Sequence, residues 1–321
     1  MWPFDGSIGG PVESLWLALY VASFALHAVL VGCVAAGAGY ALVAAVRRSA
    51  DPIAARTRDW LPFLLGAGIT AGVGPLLFLQ LLYQRRFYTA NLLMGPRWGA
   101  VVPALIVGFY ALYLAKASEP RRRLALGVAT ACFAFVGWSW TELHQVMLDD
   151  AGWRAMYAAG ARFHGDAAIL PRLAIWSGAM VALFAAVSAW PAAAAERRRL
   201  AGLALAGLIA CGAAAAAAIA LGGFDPAHGW TYLLIAAAVT AVLAWAWTAR
   251  RPDGRGLTVA TAATAAALIA GSVVREAPRL ALIERDRATA VGAGGLPVFV
   301  VTLAIGAAAI AWVVRTARGA P

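Results

Sequence analysis

The sequence predicts an all-α, polytopic membrane bundle of about nine transmembrane helices, built as one domain over residues 1–321. Three observations carry this expectation. The 321 residues are 63% hydrophobic and 13% charged, with mean hydropathy +0.77, well outside the range of water-soluble domains. Nine apolar runs match the roughly 20 residues needed to cross a hydrocarbon core about 30 Å thick. No interval between them reaches the roughly 50 residues of mixed composition that an independent soluble domain needs.

The runs are 15–46, 60–83, 98–116, 122–144, 170–190, 199–222, 228–249, 256–274 and 296–314. The first follows MWPFDGSIGG, which lacks the basic stretch of a cleavable signal, so it reads as a retained span. It holds His27, followed by Gly32 and Gly37. The second presents Gly68-x-x-x-Gly72, a small-residue face that lets two backbones approach, and passes a kink-prone Pro75. It then runs into Gln80, Tyr83, Gln84, Arg85, Arg86, Tyr88 and Asn91, side chains that a lipid-facing helix does not need. The fourth span ends in WSWTELHQVMLDD, with Glu142, His144 and Gln145 near its end.

The segment from Asp149 to Pro171 is too polar to span and too apolar for a free loop. Its Trp153, Met156, Tyr157 and Phe163 suit a short helix at headgroup depth, placed to cap a cavity. The sixth span, with Gly202, Gly207, Gly212 and an alanine run, reads as filler against its neighbours. Thr258, Thr261 and Thr264 of the eighth are read as helix-contact hydroxyls. Beyond it, VVREAPRLALIERDR brings Arg275, Glu276 and Arg279, and residues 275–295 read as a second interfacial element.

The loops fix an expected orientation. Arg47, Arg48, Arg56 and Arg58, Lys116 with Arg121 to Arg123, Arg197 to Arg199, Arg250, Arg251 and Arg255, and Arg315 with Arg318 all fall on one side. That side carries 16 of the 26 basic residues and five of the 15 acidic ones, and the other carries ten of each, so the whole net charge of +11 belongs to it. By the positive-inside rule it is cytoplasmic, with the N-terminus outside and the C-terminus inside. The basic balance is therefore a topology signal. It argues for a lipid bilayer as partner and against nucleic acid, because the cations sit in short clusters beside helix ends with no aromatic-lined groove around them.

Cys33, Cys132 and Cys211 fall in three different runs without C-x-x-C spacing, which excludes a covalently attached c-type haem and disfavours a zinc site. The polar inventory lies on the outer side. All four histidines, His27, His144, His164 and His228, belong there. His27 and His144 are the intramembrane pair available as axial ligands of a haem b, whose iron takes imidazoles from both faces. Hydrogen-bonded contact histidines are the alternative. Tyr83, Gln84, Tyr88 and Glu142, with His144, also supply the donors and acceptors a quinone headgroup would use. Arg85, Arg86, Arg275 and Glu276 read either as interface anchors with their stems along lipid or as ion pairs, Arg85, Arg86 or Arg275 with Glu142 or Glu276.

The run Gly72-Val-Gly-Pro-Leu-Leu-Phe-Leu-Gln-Leu-Leu-Tyr83, continuing through Phe87-Tyr88-Thr89 to Leu93-Met94, with Asp166-x-x-x-Leu170-Pro171-Arg172 further on, resembles a group of bacterial polytopic membrane proteins similar to cytochrome-b-type respiratory subunits. The resemblance covers about half of the chain and is strongest over 70–98. It implies a multi-pass protein of the bacterial cytoplasmic membrane that handles haem or quinol near the extracytoplasmic face with a partner redox protein. The chain departs from the pattern at Leu173-Ala174-Ile175-Trp176, where relatives carry a histidine. This leaves His27 without that partner and points either to recruitment of His144 or to loss of the haem. Two other classes stay open: a transporter or permease with an outward-facing polar pocket, and a haem-free scaffold subunit. No nucleophile constellation or phosphate loop supports a hydrolase or a nucleotide-binding enzyme.

Overall fold

The structure, a computed structural model, describes residues 11–160, 163–221, 229–276 and 279–285, with isolated positions between 300 and 315. The described chain is helical and contains no strand: α1 (Pro11–Val46), α2 (Pro52–Leu82), α3 (Gln84–Met94), α4 (Pro96–Gly99), α5 (Val101–Ala117), α6 (Arg122–Leu148), α7 (Trp153–Ala158), α8 (Ile169–Ser188), α9 (Ala194–Ala220), α10 (Gly229–Arg250), α11 (Gly254–Glu276) and α12 (Leu280–Arg285). Eight segments are long and apolar enough to cross a bilayer, with Pro96–Ala117 counted as one. They correspond to the first eight expected spans. The ninth, 296–314, lies outside the described residues apart from isolated positions, as do His228 and residues 286–295.

Several helices run past their apolar segments, because hydropathy reports lipid contact whereas the helix continues wherever backbone groups still need partners. α2 starts at Pro52, eight residues before the apolar run. Asp51 is its cap, accepting the Ile53 N–H at 2.9 Å, and proline at the first helical position loses no bond. α6 continues to Leu148, which places Glu142, His144 and Gln145 within a helix. α11 extends to Glu276. The expected interfacial helix shrinks to the six residues of α7.

Consecutive helices pair as hairpins: α1 with α2, α5 with α6, α8 with α9, and α10 with α11. α1 is the hub, packing on α2, α6, α8 and α11. Association in lipid depends on close van der Waals contact, so glycine matters where backbones meet. A methyl group on Gly72 would stand 2.8 Å from the His27 ring, and one on Gly178 would stand 2.5 Å from the Gly207 carbonyl oxygen across the α8–α9 contact. Of the three glycines noted in the sixth span, Gly207 is therefore a contact, while Gly202 and Gly212 have open space beside them.

The reading of that span as filler needs correction. α9 buries only Leu200, Ala201, Ala204, Gly207 and Ala218, so most of its alanine run lies on the outside of the bundle. The fully buried Trp245 instead joins α10 to α11 by donating its indole N–H to Thr264 at 2.9 Å.

The arginine clusters stand at the junctions of α1 with α2, α5 with α6, α8 with α9 and α10 with α11, most of them in the first turns of the second helix. Arg56 reaches Glu196 at 2.5 Å and Arg199 reaches Asp51 at 2.6 Å, and Lys116 stands 4.0 Å from Asp59, which places the clusters of the α1–α2, α8–α9 and α5–α6 junctions at a common end of the bundle. A core of Trp16, Leu17, Tyr20, Phe78, Phe87, Met94 and Leu143 fills the opposite end.

Candidate functional site

The end opposite the arginine clusters contains three buried polar networks, each joining helices distant in sequence. The first centres on Glu276, at the last residue of α11. Its Oε1 accepts from Arg275 Nε at 2.8 Å and from Arg279 Nη1 at 2.8 Å, and its Oε2 accepts the Tyr83 hydroxyl at 2.7 Å. Tyr83 reaches it because the chain leaves helical geometry there (φ −125°, ψ 33°), between α2 and α3. Arg275 also donates to the Tyr20 hydroxyl at 2.6 Å, and its guanidinium lies 3.8 Å from the centre of the Phe24 ring. Contacts of this kind are what permit a charge inside a membrane segment, where an unpaired one costs about 2.5–3.5 kcal/mol or more.

The second network encloses Glu142, whose side chain is 1% exposed. Trp138 donates its indole N–H to Oε2 at 2.7 Å, Arg97 pairs with the same oxygen, and the His164 backbone N–H donates to Oε1 at 2.6 Å. Arg97 in turn stacks 4.5 Å from the Phe163 ring centre. In the third network, Arg86 donates to the Met147 carbonyl at 2.9 Å and to Asp150 at 3.2 Å. It thereby satisfies a terminal carbonyl of α6 with a cation, the favourable sign at that end of a helix dipole. Trp153 lies under both Arg85 and Arg86 and closes this corner.

His144 lies among these networks. Its Nδ1 is 2.8 Å from the Trp140 carbonyl. A carbonyl only accepts, so Nδ1 carries the proton and Nε2 holds the lone pair of the neutral ring. Nε2 is buried and has no hydrogen-bond partner among the described residues. Arg279, Arg275 and Arg172 are the cations that act on the ring, while Trp140 and Trp98, stacked edge to face at 4.9 Å, form an aromatic wall beside it. The next residue, Gln145, donates to Asp166 through its amide nitrogen and leaves its own carbonyl oxygen buried without a partner among the described residues. Buried orphan groups of this kind are uncommon, and each needs an explanation.

His27 is placed elsewhere. Its Nδ1 lies 2.9 Å from the Gly68 carbonyl and its ring packs on Gly72, both on α2. It follows Tyr20 by seven residues, about 10 Å of helix at 1.5 Å per residue, and Tyr20 is the α1 residue that reaches Arg275 beside His144. The two imidazoles thus stand at different depths. A single haem b, which needs them on opposite faces of one macrocycle, does not fit this pair. Among the described residues no group of three or more His, Cys, Asp or Glu side chains is arranged to hold a metal ion.

The remaining expected residues divide clearly. Tyr83 and Glu142 are buried, but their polar atoms are held by Glu276 and by Arg97, Trp138 and His164. Gln84, Arg85 and Tyr88 are exposed on the outward face of α3. Glu276 pairs with Arg275, whereas the partner of Glu142 is Arg97, which the sequence reading did not assign. Tyr20 was also missed. The signal available for it was the stripe Tyr20, Phe24, His27 and Val31, spaced by four, three and four residues on one face of α1. Comparison with known protein families, curated proteins and solved structures finds no match to this chain.

Proposed function

We propose that this protein is an integral-membrane electron-transfer subunit that binds a quinol headgroup beside His144, on the extracytoplasmic side of the cytoplasmic membrane, and works with a redox partner protein. The orphaned Nε2 of His144 carries the reading. A quinol hydroxyl is a donor of the right kind for that lone pair, and Arg275 or Arg279 can donate to the oxygen across the ring. The tryptophans beside His144 supply apolar walls for a planar ring. Tyr83 and Glu142 act here by positioning Glu276 and Arg97, and Gln84 and Tyr88 stand outside the pocket. The positive-inside rule supports the orientation: reporter fusions after Ala50 and after Asp150 report opposite compartments, and a common compartment would sink it.

Binding is tested on purified protein by extracting bound lipid for quinone and titrating a short-chain quinol. The expected result is bound quinone, with affinity lowered about tenfold or more in His144→Leu, since a buried acceptor that loses its donor is costly on both sides. Absence of quinone from the extract together with no saturable quinol binding would refute the reading. The permease alternative predicts polar residues continuing through the other half of the spans. There Thr240, Thr258 and Thr261 instead bond to carbonyls of their own helices.

A further inference from the structure

The arginine-rich end of the bundle is not uniform. Arg58, in the second turn of α2, is half-buried, and its Nε is enclosed with no acceptor among the described residues. A buried donor without an acceptor is costly. Arg48 closes α1 at φ +53°, a left-handed position where glycine is usual. The turn is well formed, since the Ser49 N–H returns to the Ala44 carbonyl at 3.0 Å and the Arg48 N–H to that of Ala45 at 3.2 Å. α6 then starts with Arg121, Arg122 and Arg123, without a side-chain cap or an acid in its first turn, although that end of a helix dipole favours anions. The helices of the other three junctions have their carboxylate: Asp51 for α2, Glu196 for α9 and Asp253 for α11.

These cations rim one core. Leu61 and Leu65 of α2 pack with Ala41 and Ala45 of α1 and with Ala125 of α6. Arg58 precedes Leu61 and Leu65 by three and seven residues, on the same face of its helix, Arg48 follows Ala45 by three, and Arg121 precedes Ala125 by four. All five acidic residues that the sequence places on this side are engaged. Asp51 pairs with Arg199, Asp59 with Lys116, Glu119 with Arg122 and Glu196 with Arg56, and Asp253 accepts the Gly256 N–H. Among the described residues none of them pairs with Arg48, Arg58, Arg121 or Arg123. The positive-inside rule accounts for the sign of these residues. It requires neither a buried donor without an acceptor nor an arginine on a left-handed backbone, and one bound anion would offset both.

We infer that the α1–α2 and α5–α6 junctions bind the phosphate group of an anionic phospholipid, with Arg58 Nε donating to a phosphate oxygen and Arg48 and Arg121 supplying positive charge around it. The aromatic side chains identify a lipid as the occupant. Trp60, two residues after Arg58, is exposed and stacks edge to face on an exposed Phe63, and Tyr113, three residues before Lys116, is exposed on α5. Exposed rings of this kind settle at headgroup level, which puts the arginines at phosphate depth. Basic clusters between spans suit an anionic headgroup there.

The test is native mass spectrometry of the full-length protein in detergent, titrated with short-chain phosphatidylglycerol, phosphatidylcholine or inorganic phosphate. Saturable binding of phosphatidylglycerol is expected, about tenfold tighter than that of phosphatidylcholine, and inorganic phosphate at the same concentration does not displace it. Arg58→Gln weakens it about fivefold or more, the effect of one cation near the headgroup. Arg198→Gln, an exposed arginine of the α8–α9 junction, leaves it unchanged. Arg48→Gly weakens lipid binding while the unfolding midpoint of the lipid-free protein holds or rises, because glycine adopts this φ without strain, and it serves if Arg58→Gln fails to fold. Equal affinity for the two lipids overturns the inference, and so does a loss in Arg198→Gln as large as in Arg58→Gln. Displacement by inorganic phosphate overturns the lipid assignment. An Arg48→Gly protein that melts lower and binds lipid as before removes Arg48 from the site.

Discussion

At one end of the bundle, Arg199 reaches Asp51 from a side chain that is 57% exposed, and Lys116 stands 4.0 Å from an equally open Asp59. At the other end, Arg275 and Arg279 converge on a Glu276 whose side chain is 3% exposed. Both ends are built from the same residue types. At the first, water reaches the cation of each pair even where the carboxylate is enclosed, as at Asp51, and an excess of arginine costs little. At the second, each charge is desolvated and depends on tyrosine hydroxyls, aromatic faces and a shared carboxylate. The first arrangement is suited to fixing which way the chain sits in the membrane. The second is suited to holding charge at a defined place inside it.

The sharpest way to break this contrast is to neutralise one carboxylate at each end. Glu276→Gln keeps the shape but leaves Arg275 and Arg279 without their common anion, and removal of one member of a buried ionic group costs about 3–5 kcal/mol. A large fall in the thermal unfolding midpoint in detergent is expected. Glu196→Gln, which removes the carboxylate paired with the partly exposed Arg56, is expected to cost less, about 1 kcal/mol. Equal effects would mean that the two ends do not differ in the way described.

Next in size is a packing change that touches neither set of charges. Gly178→Ala forces a methyl group against the Gly207 carbonyl oxygen, and backbone cannot yield as a side-chain tip can. Overpacking of this kind costs about 1–3 kcal/mol. Gly202→Ala, where nothing stands within 4 Å, is expected to be neutral or slightly stabilising. The comparison measures how much of the bundle rests on close helix approach, independently of either polar end.

How much of this was legible in the sequence follows from the same physics. Span positions were readable because lipid imposes apolar length directly, and the loop arginines declared a shared side because they need no partner to be counted. Buried pairing was not readable to the same degree. Arg275 and Glu276 are adjacent in sequence and could be linked. Arg97 and Glu142 lie on α4 and α6, and only the fold brings them together. His27 and His144 were legible in a coarser sense, because their positions along the apolar runs already put His27 deeper than His144, whereas the partners of each ring depend on the fold. Tyr83, Gln84 and Tyr88 were read as one group, but the break in helical geometry at Tyr83 starts a new helix in which Gln84 and Tyr88 are exposed while Arg86 and Phe87 are buried.

A smaller effect is expected at Asp51, which combines features of both ends. Its carboxylate is largely enclosed although its arginine partner is open, and it also caps α2. Burial works to raise its pKa, but the Tyr40 hydroxyl, Arg199 and the Ile53 N–H outweigh this and hold the carboxyl below its usual range. Its contribution to stability is therefore present above the unfolded value of about 3.9 and is lost as pH falls through the lowered folded value. Asp51→Asn is expected to cost about 1 kcal/mol at neutral pH, the size of a lost cap or less, since asparagine also caps helices. The gap between native and variant should narrow as the medium is acidified from about pH 5 to about pH 3. A gap that widened on acidification would contradict the sign.

The smallest expected effect is at Lys116 and Asp59, and it defines the lower limit of the comparison. Their charges are 4.0 Å apart with about half of each side chain in solvent, and Lys116 also lies 3.4 Å from the Asp59 carbonyl oxygen. A double-mutant cycle through Lys116→Gln and Asp59→Asn should return a coupling between zero and about 0.5 kcal/mol that disappears on adding salt, since a Debye length of about 8 Å at physiological ionic strength screens such pairs. Lys116→Gln has a second consequence that the coupling energy does not register, because it removes one positive charge from the side expected to face the cytoplasm. Fifteen basic residues remain there against five acidic, so the orientation is expected to hold in the reporter fusions. A measurable coupling that survived high salt would instead place this pair in a desolvated environment, and the division of the molecule into a solvated end and a buried one would have to be redrawn at Lys116.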